Sequence, residues 1–551
     1  MSEFYTALLD SFPHETIRES QDQIFRQLAA TWDKFSVFII DAPTGVGKSA
    51  IAYSLLKASG NGYLLTSTKV LQKQYRDEFP DINLIKGKSN YDCALNSDFN
   101  VADAPCNLRK QLMMKCRGSN ICYYYNAKES AQKAPFVQTN YNYFIAAGMS
   151  DAHNEGESMW SKRKVMVCDE AHEFPDIASQ IMSRDVDVTW LSKRFDVDLN
   201  DIEFEEGKRD ENIECLRFIL EVLERRQESI NKTLRDTNKD AMEQANGDPE
   251  QINQHIAKRL RTLQKKSADI DDIVGSISNV LEKCLEDPNW VVEPINRQKL
   301  KMATIRPYEV FKYYVENKVD KLVFMSASMG DPEQFVEDLC IDPADVVIID
   351  SDSPFDPELS PIIDRGGLDM SKKHIDLNID KMLRLVDHIA AEYPDVKGII
   401  HAGNYRVCKE LLENSDYRLR TRLIGKAESN GQTNEDLIER HKRSTDPTIL
   451  ISPSMYTGVD LKDDDSRFQI IVKLPWGFLG DPVIRVRQGE SYQWYVNEMF
   501  KKLIQASGRS TRTEDDYSVT YILDNGFTRV WNRNKQYLPE WFNKRVVRPS
   551  L

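Results

Sequence analysis

The octapeptide Ala42-Pro43-Thr44-Gly45-Val46-Gly47-Lys48-Ser49 constrains this chain more than any other stretch. It follows Ser36-Val37-Phe38-Ile39-Ile40, a short apolar run with β-branched residues that reads as a buried strand. Ala50-Ile51-Ala52-Tyr53-Ser54-Leu55-Leu56 comes next and reads as a helix. Strand, glycine turn and helix are the setting of a phosphate-binding loop. Gly45 and Gly47 let the backbone bend so that its N–H groups face phosphate oxygens, and the helix N-terminus adds partial positive charge. Within such a loop Thr44 lies beside the phosphates, Lys48 reaches the β- and γ-phosphates, and the Ser49 hydroxyl holds Mg2+. Ala42 stands where the motif usually has Gly.

A second anchor lies downstream. Lys164-Val165-Met166-Val167-Cys168 is a clear buried strand, and it ends in Asp169-Glu170-Ala171-His172. An acidic residue at a strand end can hold Mg2+, and an adjacent carboxylate can orient or deprotonate an attacking water. Asp169 is therefore the candidate metal residue and Glu170 the candidate base. Between the two anchors, Gly62 to Thr68 and Phe136 to Tyr141 read as further strand ends, where ligands of open parallel sheets collect.

With 551 residues the chain is too long for one core, and it divides into two to four domains. Its 41% hydrophobic and 29% charged residues are those of a soluble globular protein. No apolar run approaches a membrane span of about 20 residues, and Met1-Ser2-Glu3-Phe4-Tyr5 lacks the features of a secretory leader, so a cytoplasmic protein is expected. The net charge of −14 does not exclude a nucleic-acid partner, because a binding channel needs only local positive charge.

From Ile213 the period changes. Ile213, Leu216, Leu220, Leu223 and Ile230 fall on one helical stripe. Ile256, Leu260, Leu263, Ile270, Val274, Ile277, Leu281 and Cys284 fall on another. Asn246-Gly247-Asp248-Pro249 separates them, which predicts an antiparallel helical hairpin. Lys258, Arg259, Arg261, Lys265 and Lys266 on the second helix suit phosphates or a solvated face. Strand-and-loop texture returns at Lys321 to Met329, and a second α/β half follows. Its strands are expected at Gly398–His401, 448–452, 468–474 and 518–523. This half has no phosphate loop, but Gln505 precedes Arg509 and Arg512, two arginines one helical turn apart that suit a γ-phosphate presented by the first half. Upstream of everything, Gln21 carries an amide able to read an adenine edge, although a surface Gln on a helix is the blander alternative.

The ordered set resembles the superfamily-two helicases of the iron-sulfur XPD/DinG branch. Arg18-x-x-Gln21 looks like the adenine-reading element of that family, residues 42–49 match motif I, Thr66-Ser67-Thr68 motif Ia, and Asp169 to His172 the DEAH box. Ser326-Ala327-Ser328 matches motif III, and Ser353-Pro354-Phe355 a short element of the branch. Ser454 to Asp460 looks like motif V, with Thr457 where Glu is frequent, and Gln505 to Arg512 matches motif VI. The resemblance adds Gly458 and Asp460 to the nucleotide-binding set of Gln21, Thr44, Gly45, Gly47, Lys48 and Ser49.

Four cysteines, Cys93, Cys106, Cys116 and Cys122, fall in one segment with 12, 9 and 5 residues between them. Lys86 to Cys93 and Cys122 to Lys128 resemble the family's approach to its first and departure from its last cluster ligand. Four thiolates fit a 4Fe-4S cluster. Zinc is the rival, but zinc ribbons offer Cys-x-x-Cys knuckles and this chain has none.

The resemblance implies an α/β fold: two RecA-like motor domains with an inserted iron-sulfur domain and an inserted helical arch. The first motor would take residues 1–88, 126–180 and 291–332, the cluster domain 89–125, the arch 181–290, and the second motor 333–551. It further implies ATP and Mg2+ as cofactors, with single-stranded DNA and forked or tailed duplex DNA as partners. The activity implied is 5′-to-3′ translocation and unwinding by a monomer, in DNA repair, replication or recombination. An RNA or RNA–DNA hybrid helicase, and an ATP-switched DNA-binding module without unwinding, are the competing functions.

Overall fold

The computed structural model describes residues 2–548 except 105, 107–112, 115, 117, 119, 153–157, 245–252, 352, 354, 427–432, 454–460, 462 and 509–515. The first half contributes β1 (Val37–Asp41), β2 (Gly62–Thr66), β3 (Asn83–Leu84), β4 (Phe136–Asn140) and β5 (Arg163–Asp169). Then come β6 (Arg184–Asp187), β7 (Trp290–Asn296), β8 (Lys299–Thr304), β9 (Val319–Ser326) and β10 (Val346–Asp350). Seven of these strands form one parallel sheet in the order β10-β1-β9-β5-β2-β4-β3.

β1 and β2 are buried at every residue, which explains their unbroken apolar runs. Successive side chains still divide between two cores. Val37 and Ile39 pack on one face with Tyr63, Met166 and Trp160, whereas Phe38 and Ile40 pack on the other with Phe25, Leu55 and Val167.

A second parallel sheet is built from β11 (Ile362–Leu368), β12 (Gly398–His401), β13 (Leu423–Ile424), β14 (Ile449–Ser452), β15 (Phe468–Ile471), β16 (Val519–Asp524) and β17 (Val546–Val547). Its order is β13-β14-β12-β15-β16-β11-β17. The C-terminal helices pack on it: Phe527, Val530 and Phe542 join Ile362, Ile522 and Phe500 in one core cluster. Among the described residues, no helix is long and apolar enough to cross a membrane.

The two helical stripes form helices Arg209–Gln244 and Gln254–Glu286. They run antiparallel, because Gln227 meets Asp271 at 2.6 Å, Asn231 meets Ser267 at 2.6 Å, and Arg209 reaches the Cys284 carbonyl at 2.5 Å. Ile213, Leu216, Leu223, Ile270, Ile277 and Leu281 fill the seam. All five basic residues singled out between positions 258 and 266 are exposed. The hairpin stands on the antiparallel sheet β6-β8-β7.

Sequence reading and structure differ in places. The β6-β8-β7 sheet, β3, β10, β11, β13 and β17 lie outside the expected strands, and β15 stops at Ile471 rather than 474. β10 also moves a boundary. It pairs in register with β1, from Val37↔Val346 to Asp41↔Asp350, so the first α/β unit extends past the expected end at 332. The physical reason is the run Val346-Val347-Ile348-Ile349, which closes the sheet edge beside β1.

The halves meet through charged side chains. Lys301 in β8 bonds Asp481 at 2.6 Å, and Arg306 bonds Glu490 at 3.1 Å. Arg487, on helix Pro482–Glu490, pairs with Asp338 of the first half; both side chains are buried, and the guanidinium lies 4.0 Å over Trp494. Removing one member of a buried pair strands the other charge, at about 3–5 kcal/mol. Asp338→Ala is accordingly expected to lower the thermal midpoint, and Asp338→Leu with Arg487→Met to recover most of the loss. An unchanged midpoint in Asp338→Ala would show that the pair does not hold the halves together.

Candidate nucleotide site between the two halves

The loop after β1 takes the shape its glycines permit. Gly45 (φ +84°) and Gly47 (φ +88°) are left-handed, and helix Lys48–Ser59 starts immediately after them. Lys48 Nζ donates to the carbonyls of Ala42 (3.0 Å) and Pro43 (3.3 Å), spanning the loop from within. Gln21 lies behind it, buried: its Oε1 accepts from the Arg18 N–H (3.0 Å), and its Nε2 donates to the Val46 carbonyl (2.8 Å). The Arg18 guanidinium bonds the Gly45 carbonyl.

Sheet order brings the second anchor to this loop. β9 alone separates β1 from β5, so the C-terminal ends of all three lie side by side. Asp169, at the end of β5, is buried. Its Oδ1 accepts from the Glu170 N–H (3.0 Å), and its Oδ2 accepts from the Tyr75 hydroxyl (2.9 Å). Burial first, and then the charge of Glu170, push its carboxyl up to about 6, with Lys48 pulling the other way. Glu170 sits at φ +52°, a left-handed conformation that costs a non-glycine residue about 1–3 kcal/mol. Two crowded carboxylates, one with a raised pKa, suit a cation, and Ser49 lines the same cavity.

That cavity, about 390 Å3, is lined by Lys48, Ser49, Asp169 and Glu170 from the first half and by Gln505 and Gly508 from the second. Thr44 Oγ1 donates to the Gly508 carbonyl at 3.2 Å. Gly458, Asp460, Arg509 and Arg512 lie outside the described residues.

His172 ties three segments together. Its Nδ1 lies 2.8 Å from the Ser326 hydroxyl, at the end of β9, and its Nε2 meets the side-chain amide of Gln505. An amide N–H donates, so Nε2 is the acceptor, and the ring proton sits on Nδ1 and bonds Ser326. Ser326 Oγ also accepts from the Ser328 N–H at 3.0 Å. Burial pushes the His172 pKa down to about 4 against the opposing pull of Glu170, which keeps the ring neutral and this tautomer in place.

Two contributors escaped sequence reading. Tyr75 holds the Asp169 carboxylate, and Tyr141 donates to the Asp169 carbonyl at 2.8 Å; both rings are fully buried. Their positions in the helix after motif Ia and at the end of β4 carry no local signature.

The cysteine segment forms a separate small unit with Val101, Cys122 and Tyr124 as its core. Cys106, Cys116 and Cys122 are buried, and Cys93 is half-buried. Burial raises the Cys106 thiol, and Cys116, Cys93 and Cys122 raise it further, so these three lie within electrostatic reach of Cys106. Among the described residues, no three His, Cys, Asp or Glu side chains are grouped so as to hold a metal ion.

The His172 linkage has a definite sign. An unfolded His takes its proton near pH 6.5, whereas the folded ring refuses it until about pH 4. Folded-state stability is thus lost as pH falls through this window, at about 1.4 kcal/mol per pH unit for one proton. The thermal midpoint of His172→Gln should gain on that of the parent as pH drops from 6.5 to 4.5. A constant difference would mean that the ring is not held neutral.

Comparison with known proteins agrees with this geometry. A Helicase C-terminal domain family model matches residues 397–545, and the DEAD_2 model matches residues 87–191. The ATP-dependent DNA helicase YoaA of Escherichia coli K12 is 21% identical over 605 residues, covering 94% of this chain and 93% of that protein. The ATP-dependent DNA helicase CHL1 of Kluyveromyces lactis is 19% identical, covering 78% of this chain and 59% of its own length. Among solved structures, an XPD helicase aligns over 97% of this chain and 100% of its own, with a TM-score of 0.60 at 15% identity. Xpd4 of S. tokodaii aligns over the same share with a TM-score of 0.57 at 12% identity. The Helicase C-terminal domain and DEAD_2 models, a helicase relative spanning both halves and an XPD-like fold throughout together support an XPD/DinG-like helicase of superfamily two.

Proposed function

We propose that this chain is an ATP-driven DNA helicase that moves 5′ to 3′ along single-stranded DNA and opens forked or tailed duplexes. The observation that carries the reading is the cavity in which Lys48 and Glu170 of one half face Gln505 of the other, tied through His172. A triphosphate entering it displaces the Ala42 and Pro43 carbonyls as partners of Lys48. Ser49 and Asp169 would hold Mg2+, which supplies charge neutralisation of the β- and γ-phosphates. Glu170 accepts a proton from the attacking water. The water oxygen bonds to the γ-phosphorus as the bond to the bridging oxygen breaks, giving ADP and phosphate. Arg509 and Arg512 take the role of neutralising the γ-phosphate from the second motor, and Gly458 and Asp460 complete the nucleotide-binding set.

Because Gln505 bonds His172, and His172 bonds Ser326, any shift of helix Tyr492–Ser507 reaches the Glu170 turn directly. This gives hydrolysis a path to relative motion of the motors. The helical hairpin acts as the arch, with the exposed bases of its second helix beside the strand. Relatives named as ATP-dependent DNA helicases support DNA as the track.

The test is ATP-dependent unwinding of two duplexes, one with a 5′ single-stranded DNA tail and one with a 3′ tail, beside a matched RNA-tailed pair. Opening only of the 5′-tailed DNA is the expected result. Opening from the 3′ tail alone would overturn the direction, preference for RNA would overturn the track, and ATP turnover without any opening would leave a switch.

The four-thiol segment suits a 4Fe-4S cluster in its donor set, with three of the thiols within electrostatic reach of Cys106. Cys93, Cys106, Cys116 and Cys122 would hold it, and it would brace a segment with little apolar core of its own. Protein prepared without oxygen should contain iron that is lost in Cys116→Ser; iron fully retained in that variant would remove Cys116 from the ligands.

A further inference from the structure

The phosphate loop has an aromatic neighbour on a separate element. Phe355, in the link between β10 and β11, points its ring tip at Gly45, where an added Cβ would lie 2.0 Å from Phe355 Cζ. Beside this contact opens a second cavity of about 280 Å3, lined by Pro43, Phe355, Pro357, Trp541, Lys544 and Arg545. Trp541 lines this cavity and also the larger one that holds Lys48, Ser49 and Glu170. The two spaces therefore meet at one indole.

The indole is held firmly. Its helix, Glu540–Arg545, is anchored by Phe542 in the core and by Arg545, which donates to the carbonyls of Ser360 (2.7 Å) and Ser507 (2.9 Å). Gln21, by contrast, has both ends of its amide bonded to backbone behind the loop. Trp541 and Phe355 offer aromatic faces to a base, and stacking on them suits any base because every base has a π-face.

We propose that the smaller cavity is the nucleobase subsite of the nucleotide site, the base of the bound nucleotide stacking against Trp541 and Phe355. The subsite joins a residue of the inter-motor link to one from the far C-terminal helix, so the base bridges the two motors as the phosphates do. This rests on the nucleotide reading given above.

The test compares binding of ADP and of inorganic tripolyphosphate to the full chain, in the parent, Trp541→Ala, Trp541→Phe and Phe355→Ala. Trp541→Ala should weaken ADP about tenfold, in line with the loss of one stacking partner, and leave tripolyphosphate within about twofold. Trp541→Phe should restore most of the ADP affinity. Phe355→Ala, on a different element, should repeat the selective loss, and ADP but not tripolyphosphate should quench tryptophan fluorescence in the parent. Unchanged ADP affinity in both alanine variants, or equal loss of ADP and tripolyphosphate, would overturn the subsite. A parent that binds neither compound would overturn the nucleotide reading itself.

Discussion

Parallel strand order governs this molecule. β1, β9 and β5 are neighbours running in one direction, so the loop with Lys48, the turn with Ser326 and the turn with Asp169 and Glu170 emerge at one edge. No single strand carries the chemistry. Antiparallel pairing of β9 would send Ser326 to the opposite edge and leave His172 without the acceptor that fixes its tautomer. Buried polar groups are costly unless partnered, and the two central ones here have partners: Asp169 has Tyr75 and the Glu170 N–H, and His172 has Ser326 and Gln505.

Legibility in the sequence followed physical range. The glycine loop before Lys48, the turn from Asp169 to His172 and the buried strands announce themselves because their signals are local: glycines at fixed positions, then apolar runs of strand length. The helical hairpin was equally readable, since a three-and-four spacing of apolar residues is what two facing helices require. Tyr75 and Tyr141 were not, because each acts on Asp169 from far away in the chain, and a buried Tyr looks the same whether it packs or positions. β10 escaped notice because a short apolar run between polar segments does not say which sheet edge it joins. The ion pairs between the halves are likewise invisible in a chain where charged residues are plentiful.

That polar interface contrasts with the apolar cores of each half. Lys301–Asp481, Arg306–Glu490 and Arg487–Asp338 join the two halves by charge. Charge pairs keep a definite register yet forfeit little when they part and regain water, whereas an apolar contact of similar area resists opening.

The hairpin adds a mechanical consequence. Its first helix has 36 residues, so at 1.5 Å per residue it reaches about 54 Å from its root. Its root is the β6-β8-β7 sheet, and that sheet is gripped by Lys301 to the second half. Rotation of the root by only about 5° sweeps the far end through about 5 Å, more than the spacing of stacked bases along one strand, about 3.4 Å. A displacement too small to disturb the packing at the base thus becomes, at the tip, a stroke of nucleotide size.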